Sequence, residues 1–121
     1  MATVLIVDDT PSELALMKSL VEKLGHVVVP AHDGKLAVHL AQQHLPQLVL
    51  LDIVMPEQDG FVTCRQIKRG STTSHIPVVL VSSKNTESDQ FWGLRQGASE
   101  YITKPFNPSA LASAVERMLN S

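Results

Sequence analysis

Five polar groups stand where apolar runs of this chain stop. Val4–Val7 ends in Asp8-Asp9, Leu48–Leu51 in Asp52, Ile76–Val81 in Ser82-Ser83, and Tyr101–Ile102 in Thr103-Lys104-Pro105. If these ends meet, three carboxylates, a hydroxyl and an ammonium share one place. Clustered carboxylates repel one another and raise each other's pKa values, a cost that a bound divalent cation removes. Oxygen ligands with retained waters suit magnesium, which takes one or two carboxylates and leaves positions for phosphate oxygens. A carboxylate is also a competent nucleophile towards phosphorus. Metal and ammonium together would neutralise the charge that develops on a transferred phosphoryl group. The residue types therefore point to phosphoryl transfer.

That chemistry requires the run ends to converge, and the pattern of elements supplies the reason. The apolar runs, with a fifth at Val27–Val29, alternate with stretches of helical periodicity. Three runs are continuously apolar, the signature of strands buried on both faces. In the first helix Thr10-Pro11-Ser12-Glu13 has the form of a capping box, with Pro11 at the first helical position. Leu14, Met17, Val21 and Leu24 form its apolar face, and Gly25 stops it. In the last helix Asn107 caps, Pro108 opens, and Leu111, Ala114, Val115 and Met118 make the stripe. Weaker helical patterns cover Lys35–His44, Phe61–Lys68 and Glu87–Gln96. Five βα units predict an α/β fold, a parallel sheet with helices on both faces. The carboxyl ends of parallel strands joined by right-handed crossovers lie along one edge. Ligands bind outside that edge, where the strand order reverses.

The chain has 121 residues, enough for one domain and no second. A hydrophobic share of 44% and a charged share of 18% suit a globular core that needs no disulfide or structural metal. The formal charge is −2, and no basic block or Arg-rich arm is present. No nucleic-acid surface is expected, because phosphate contacts need clustered Lys and Arg. A lone cysteine, Cys64, suits a reducing compartment. No signal peptide is evident, and no apolar run reaches membrane-spanning length, so a cytoplasmic location without membrane insertion is expected.

These residues carry a resemblance along essentially the whole chain. Val4-Leu5-Ile6-Val7-Asp8-Asp9, Leu51-Asp52-Ile53-Val54-Met55-Pro56 with Gly60, Val81-Ser82-Ser83, and Gly97 to Phe106 occur in order. Together they are similar to the receiver domain of bacterial two-component response regulators. Within it the chain resembles the single-domain, CheY-like type and the twitching-motility PilH group. The resemblance implies one receiver domain over residues 1–121. Its sheet would be five-stranded, parallel and doubly wound (flavodoxin-like), in the order 2-1-3-4-5, with five helices.

It also implies roles. Asp52 resembles the phosphoacceptor, and Asp9 the direct magnesium ligand, with Asp8 acting mainly through water. The carbonyl of Val54 would complete the coordination, with manganese a substitute ion. Ser82 resembles the switch hydroxyl and Tyr101 the aromatic switch. Lys104 would pair with a phosphoryl oxygen, and Lys104-Pro105 would be a cis peptide. The phosphoryl donor would be the phosphohistidine of a sensor histidine kinase or histidine phosphotransfer domain. The switched surface would be the face of the fourth helix, fifth strand and fifth helix, offered to a protein target by a monomer or weak dimer. No enzyme is implied beyond the domain's own phosphoryl transfer and autodephosphorylation.

Other functions fit less well. A phosphatase of the haloacid-dehalogenase type would want a second Asp two residues after the nucleophile, where Val54 stands. A flavodoxin-like FMN carrier is disfavoured because Asp8-Asp9-Thr10-Pro11 would repel a phosphate. A phosphate sink, a relay intermediate and a phosphorylation-independent scaffold are the remaining alternatives, the last being signalled by lost site residues. Asp59 is expected to cap a helix and Glu57 to be a solvated loop charge. His26, His32, His39, His44 and His75 show no metal-ligand spacing and are expected at surface or boundary positions. Phe91 and Trp92, adjacent on one helix, cannot both face the same core, so partial exposure of one is expected.

Overall fold

Each apolar run becomes a strand and each periodic stretch a helix. A computed structural model describes residues 1–120. The strands are β1 (Thr3–Val7), β2 (Val27–Ala31), β3 (Leu48–Leu51), β4 (Val78–Ser82) and β5 (Glu100–Thr103). The helices are α1 (Pro11–Lys23), α2 (Gly34–His44), α3 (Gly60–Arg69), α4 (Glu87–Arg95) and α5 (Pro108–Leu119). The strands form one parallel sheet in the order β2-β1-β3-β4-β5.

Burial along the strands follows this order. Val4–Val7 of β1 and all of β3 and β4 are buried, whereas the edge strands β2 and β5 are mostly half-exposed. The continuously apolar runs are thus the three central strands, covered on both faces. Alternate side chains divide between two cores. Leu5, Val7, Val49, Leu51, Val78 and Leu80 pack on one face with Ala37, Ala41, Cys64 and Ile67 of α2 and α3. Val4, Ile6, Leu48, Leu50, Val79 and Val81 pack on the other with Met17, Val21, Leu111 and Val115 of α1 and α5. Burying a side chain of this size is worth roughly 1.5–3 kcal/mol, so the two layers supply the main driving force for the fold.

Two local expectations change. The second run stops at Val29 in the sequence, yet β2 continues through Pro30 to Ala31. Pro30 pairs in register with Ile6, and an edge strand tolerates the missing N–H. The capping box at α1 does not form: Thr10 makes no side-chain cap hydrogen bond. Gly25 does end the α1 region in the left-handed conformation, at φ 93°. Asn107 and Asp59 cap their helices as expected, and Asp33 caps α2 through the Leu36 amide. Glu57 is exposed.

Candidate functional site

The carboxyl ends of β1, β3, β4 and β5 deliver the expected residues to one edge. Asp8 follows β1 directly and is fully buried. Its Oδ1 accepts a hydrogen bond from the Thr10 amide at 2.9 Å, which turns the chain into α1. Asp9, next along, is exposed. Asp52 follows β3 and is only 5% exposed. Its Oδ1 accepts from the amides of Ile53 at 2.7 Å and Val54 at 3.3 Å. The Asp52 Oδ2 is left facing the ammonium of Lys104 at 3.4 Å.

Lys104 follows β5 and is preceded by the amide contact of its own N–H to the Ser82 carbonyl, 2.8 Å, which continues the pairing of β4 with β5. Its side chain is 9% exposed. The ammonium donates to Asp8 Oδ2 at 2.7 Å and pairs with Glu13 Oε1 at 3.0 Å as well as with Asp52. Glu13 is thus the acid that the expected capping box would have used, redirected to the site. The Lys104–Pro105 peptide is cis.

The donor set suits a hard cation. Asp8, Asp9 and Asp52 each offer a carboxylate oxygen, and these oxygens lie within 4.8 Å of one another. Burial, ahead of every other effect, pushes the Asp8 carboxyl above the usual carboxylate range, although Lys104 and the Thr10 amide pull it down. For Lys104, burial acts against the charge but is outweighed by Asp8, Glu13 and Asp52, so the ammonium is held above its ordinary value. Three carboxylates, those of Asp8, Glu13 and Asp52, thus meet one ammonium with Asp9 beside them, and the cluster favours a further positive charge.

Ser82 and Tyr101 form a second hydrogen-bonded group beside the first. Ser82 is fully buried, and its Oγ accepts from the Lys84 amide at 3.3 Å. The Tyr101 hydroxyl donates to the Lys84 carbonyl oxygen at 2.5 Å. Burial, then the charge of Asp89, pushes Tyr101 up to about 12, with the Ser82 hydroxyl pulling the other way. The Tyr101 ring is accommodated by Gly93 of α4, where a Cβ would come within 3.1 Å of the ring. Gly60 has a comparable role under Asp52: a Cβ there would collide with the Asp52 carbonyl oxygen and lie 2.6 Å from the Ile53 Cα. Sequence periodicity identified neither close approach, since each depends on what packs opposite the glycine.

Val54 lies at the mouth and is 51% exposed. Phe91 and Trp92 are both exposed, at 62% and 51%, where partial exposure of one was expected. The inward side of α4 is taken by Gly93 against Leu80 and Tyr101, which leaves both large rings outside. They line an apolar groove with Phe61 of α3, and the Arg95 guanidinium lies 5.8 Å from the Phe91 ring centre. Of the histidines, His26 is a boundary residue. Its Nδ1 accepts from the Ala2 amide at 3.1 Å, and its Nε2 lies 3.2 Å from Glu116.

Known proteins share this sequence and architecture. The model of the response regulator receiver domain matches residues 4–116. Protein PilH of Pseudomonas aeruginosa is 44% identical over 119 residues, which cover 98% of each chain. The response regulator PleD of Caulobacter vibrioides is 38% identical over 97% of this chain, which spans only 26% of that longer protein. Among solved structures, the Vibrio cholerae chemotaxis protein CheY4 superposes with a TM-score of 0.92 at 28% identity, covering 98% of this chain and 99% of that one. The receiver domain of a Pseudomonas aeruginosa sensor histidine kinase, solved with a magnesium ion coordinated in its active-site cleft, gives 0.92 at 25% identity and covers 99% of this chain and 98% of that one. The family model spans nearly the whole chain and PilH matches it end to end, so this chain belongs to the response regulator receiver domain family.

Proposed function

We propose that this receiver takes a phosphoryl group from a histidine kinase or histidine phosphotransfer domain onto Asp52. The single observation that carries this reading is the convergence of Asp8, Asp9 and Asp52 on one cluster with the Lys104 ammonium beside it. In the transfer, an Asp52 carboxylate oxygen forms the new O–P bond as the donor's P–N bond breaks. The electron pair leaves with the donor imidazole, which takes a proton. The Ile53 and Val54 amides fix Asp52 Oδ1 and so orient the carboxylate, and the Lys104 ammonium is in place to attract an incoming phosphoryl oxygen. A magnesium ion held by Asp8, Asp9, Asp52 and the Val54 carbonyl would supply further positive charge to the phosphoryl oxygens, and manganese would substitute.

The domain is a switch and not an enzyme with a separate substrate; its catalysis is confined to its own phosphorylation and dephosphorylation. Ser82 and Tyr101 read the phosphoryl group. A Ser82 hydroxyl drawn towards phosphate gives up the Lys84 amide, and the Tyr101 hydroxyl bonded to that same residue moves with it. The α4-β5-α5 face would change shape and engage a protein target, as a population shift driven by contacts to the phosphoryl group. Similarity to PilH and to the chemotaxis protein CheY4 supports a target in motility or chemotaxis signalling. Among the described residues no helix is long and apolar enough to cross a membrane.

The test is incubation with acetyl phosphate, with and without magnesium, followed by intact mass. The expected result is a phosphoryl adduct that requires magnesium and is absent from Asp52→Asn. No adduct from either acetyl phosphate or a phosphorylated histidine kinase would overturn the reading in favour of a scaffold.

A further inference from the structure

Glu13 occupies the third position of α1, where its carboxylate was expected to reach back to the helix start. It instead pairs with Lys104 Nζ at 3.0 Å, closer than Asp52 does at 3.4 Å. Lys104 is its sole hydrogen-bond or ion-pair partner among the described residues. An ammonium has three N–H donors. Here three carboxylates surround it, and the two at shorter range, Asp8 and Glu13, lie on the β1–α1 side. The amide turn that Glu13 would have capped is already satisfied, because Asp8 Oδ1 takes the Thr10 N–H. The cap hydrogen bond therefore does not need an acid at this position.

We propose that Glu13 is a positioning residue that tethers Lys104 on the α1 side and thereby restrains phosphoryl transfer to Asp52. The inference rests on Asp52 as the acceptor. With the tether in place, part of the ammonium's attraction is spent on Glu13, and less is available to phosphoryl oxygens at Asp52. Glu13 is 42% exposed, so it swings to solvent when a stronger anion claims the lysine. The tether thus raises the barrier to transfer without closing the site. With acetyl phosphate the balance is simple: an Asp52 oxygen forms the O–P bond, and the donor's own P–O bond breaks with acetate leaving.

The experiment compares the wild type with Glu13→Gln and Glu13→Asp, all with magnesium present. Glutamine keeps the length and loses the charge. Aspartate keeps the charge, but is one methylene too short for the lysine. Adduct formation with acetyl phosphate is followed by intact mass, and the Lys104 ammonium by 15N-lysine NMR without any phosphoryl donor. Both variants are expected to accelerate adduct formation, by about three- to tenfold for Glu13→Gln. Both are also expected to shift the Lys104 ammonium signal, while thermal unfolding changes little. If Glu13→Asp transfers at the wild-type rate while Glu13→Gln accelerates, rim charge alone acts and the tether is refuted. Unchanged rates in both variants refute it as well. If the wild type accepts no phosphoryl group, the acceptor reading fails by itself. The NMR arm still decides the tether, since an unmoved Lys104 signal in Glu13→Gln overturns it.

Discussion

Replacing Lys104 with methionine would expose how the site balances its charges. The ammonium lies 2.7 Å from Asp8 and 3.4 Å from Asp52. At an effective dielectric of about 20, unit charges at these distances attract by about 6 and about 5 kcal/mol. Desolvation offsets most of that gain, and removing one partner of a buried pair typically costs about 3–5 kcal/mol. Because Asp8 can take up a proton, the low end applies, so Lys104→Met should lower unfolding free energy by about 3 kcal/mol at pH 7.5 in EDTA. The pH dependence has a definite sign. Lys104 has a raised pKa in the fold, so its stabilisation is complete below the unfolded lysine value of 10.5 and hence at pH 7.5. The folded Asp8 carboxyl is raised above 3.8, so the penalty of its unpaired charge fades as pH falls through the folded pKa. The cost of the substitution should therefore shrink between pH 7.5 and pH 4.5. Urea unfolding at both pH values, repeated with magnesium, measures it. Magnesium should stabilise the variant more than the wild type, because cation and ammonium neutralise the same carboxylates. A cost that is unchanged or larger in acid, together with equal magnesium gains in both proteins, would refute this account.

Three other outcomes follow from packing and burial. Gly60→Ala should cost about 2–3 kcal/mol in urea unfolding, because the new Cβ meets backbone of Asp52 and Ile53 that cannot rotate away; wild-type stability in that variant would contradict the close approach. Burial pushes the Cys64 thiol from 9.0 up to about 11, so iodoacetamide at pH 8 should label it only after unfolding. The same shift means the unfolded chain releases the thiol proton first as pH rises past 9. Stability should fall between pH 9 and 11, by up to about 2–3 kcal/mol, and Cys64→Ala should flatten part of that slope. An equally steep slope in Cys64→Ala would show that other groups, Tyr101 among them, account for it.

Much of this protein could be read from its linear order. Apolar runs at Val4–Val7, Leu48–Leu51 and Ile76–Val81 identified the central strands because burial on both faces leaves no polar positions. Alternation with helices then fixed a parallel sheet, and a parallel sheet puts its strand ends on one edge. Asp8, Asp9, Asp52, Ser82 and Lys104 were legible for that reason: each sits one or two residues beyond a run. Local signals were weaker where a tertiary contact could outcompete them. Pro30 looked like a strand end, but its position on the sheet edge removed the cost of the lost donor. Thr10 and Glu13 looked like a capping box, but Asp8 took the amide and Lys104, 91 residues away in sequence, took the acid. Gly60 stood in the receiver-like motif and Gly93 in a helical stretch, but neither close approach was legible until the backbone of Asp52 and the ring of Tyr101 were placed against them. On α4, the sequence required that Phe91 and Trp92 not share one core, and the structure puts both outside because Gly93 takes the inward position. Sequence alone thus determined which residues could do the chemistry and on which edge they gather, since periodicity and strand burial are local consequences of the chain. Only the tertiary structure decided how the charges pair, because an ammonium is satisfied by whichever carboxylates the fold brings within about 3 Å, whatever their distance along the sequence.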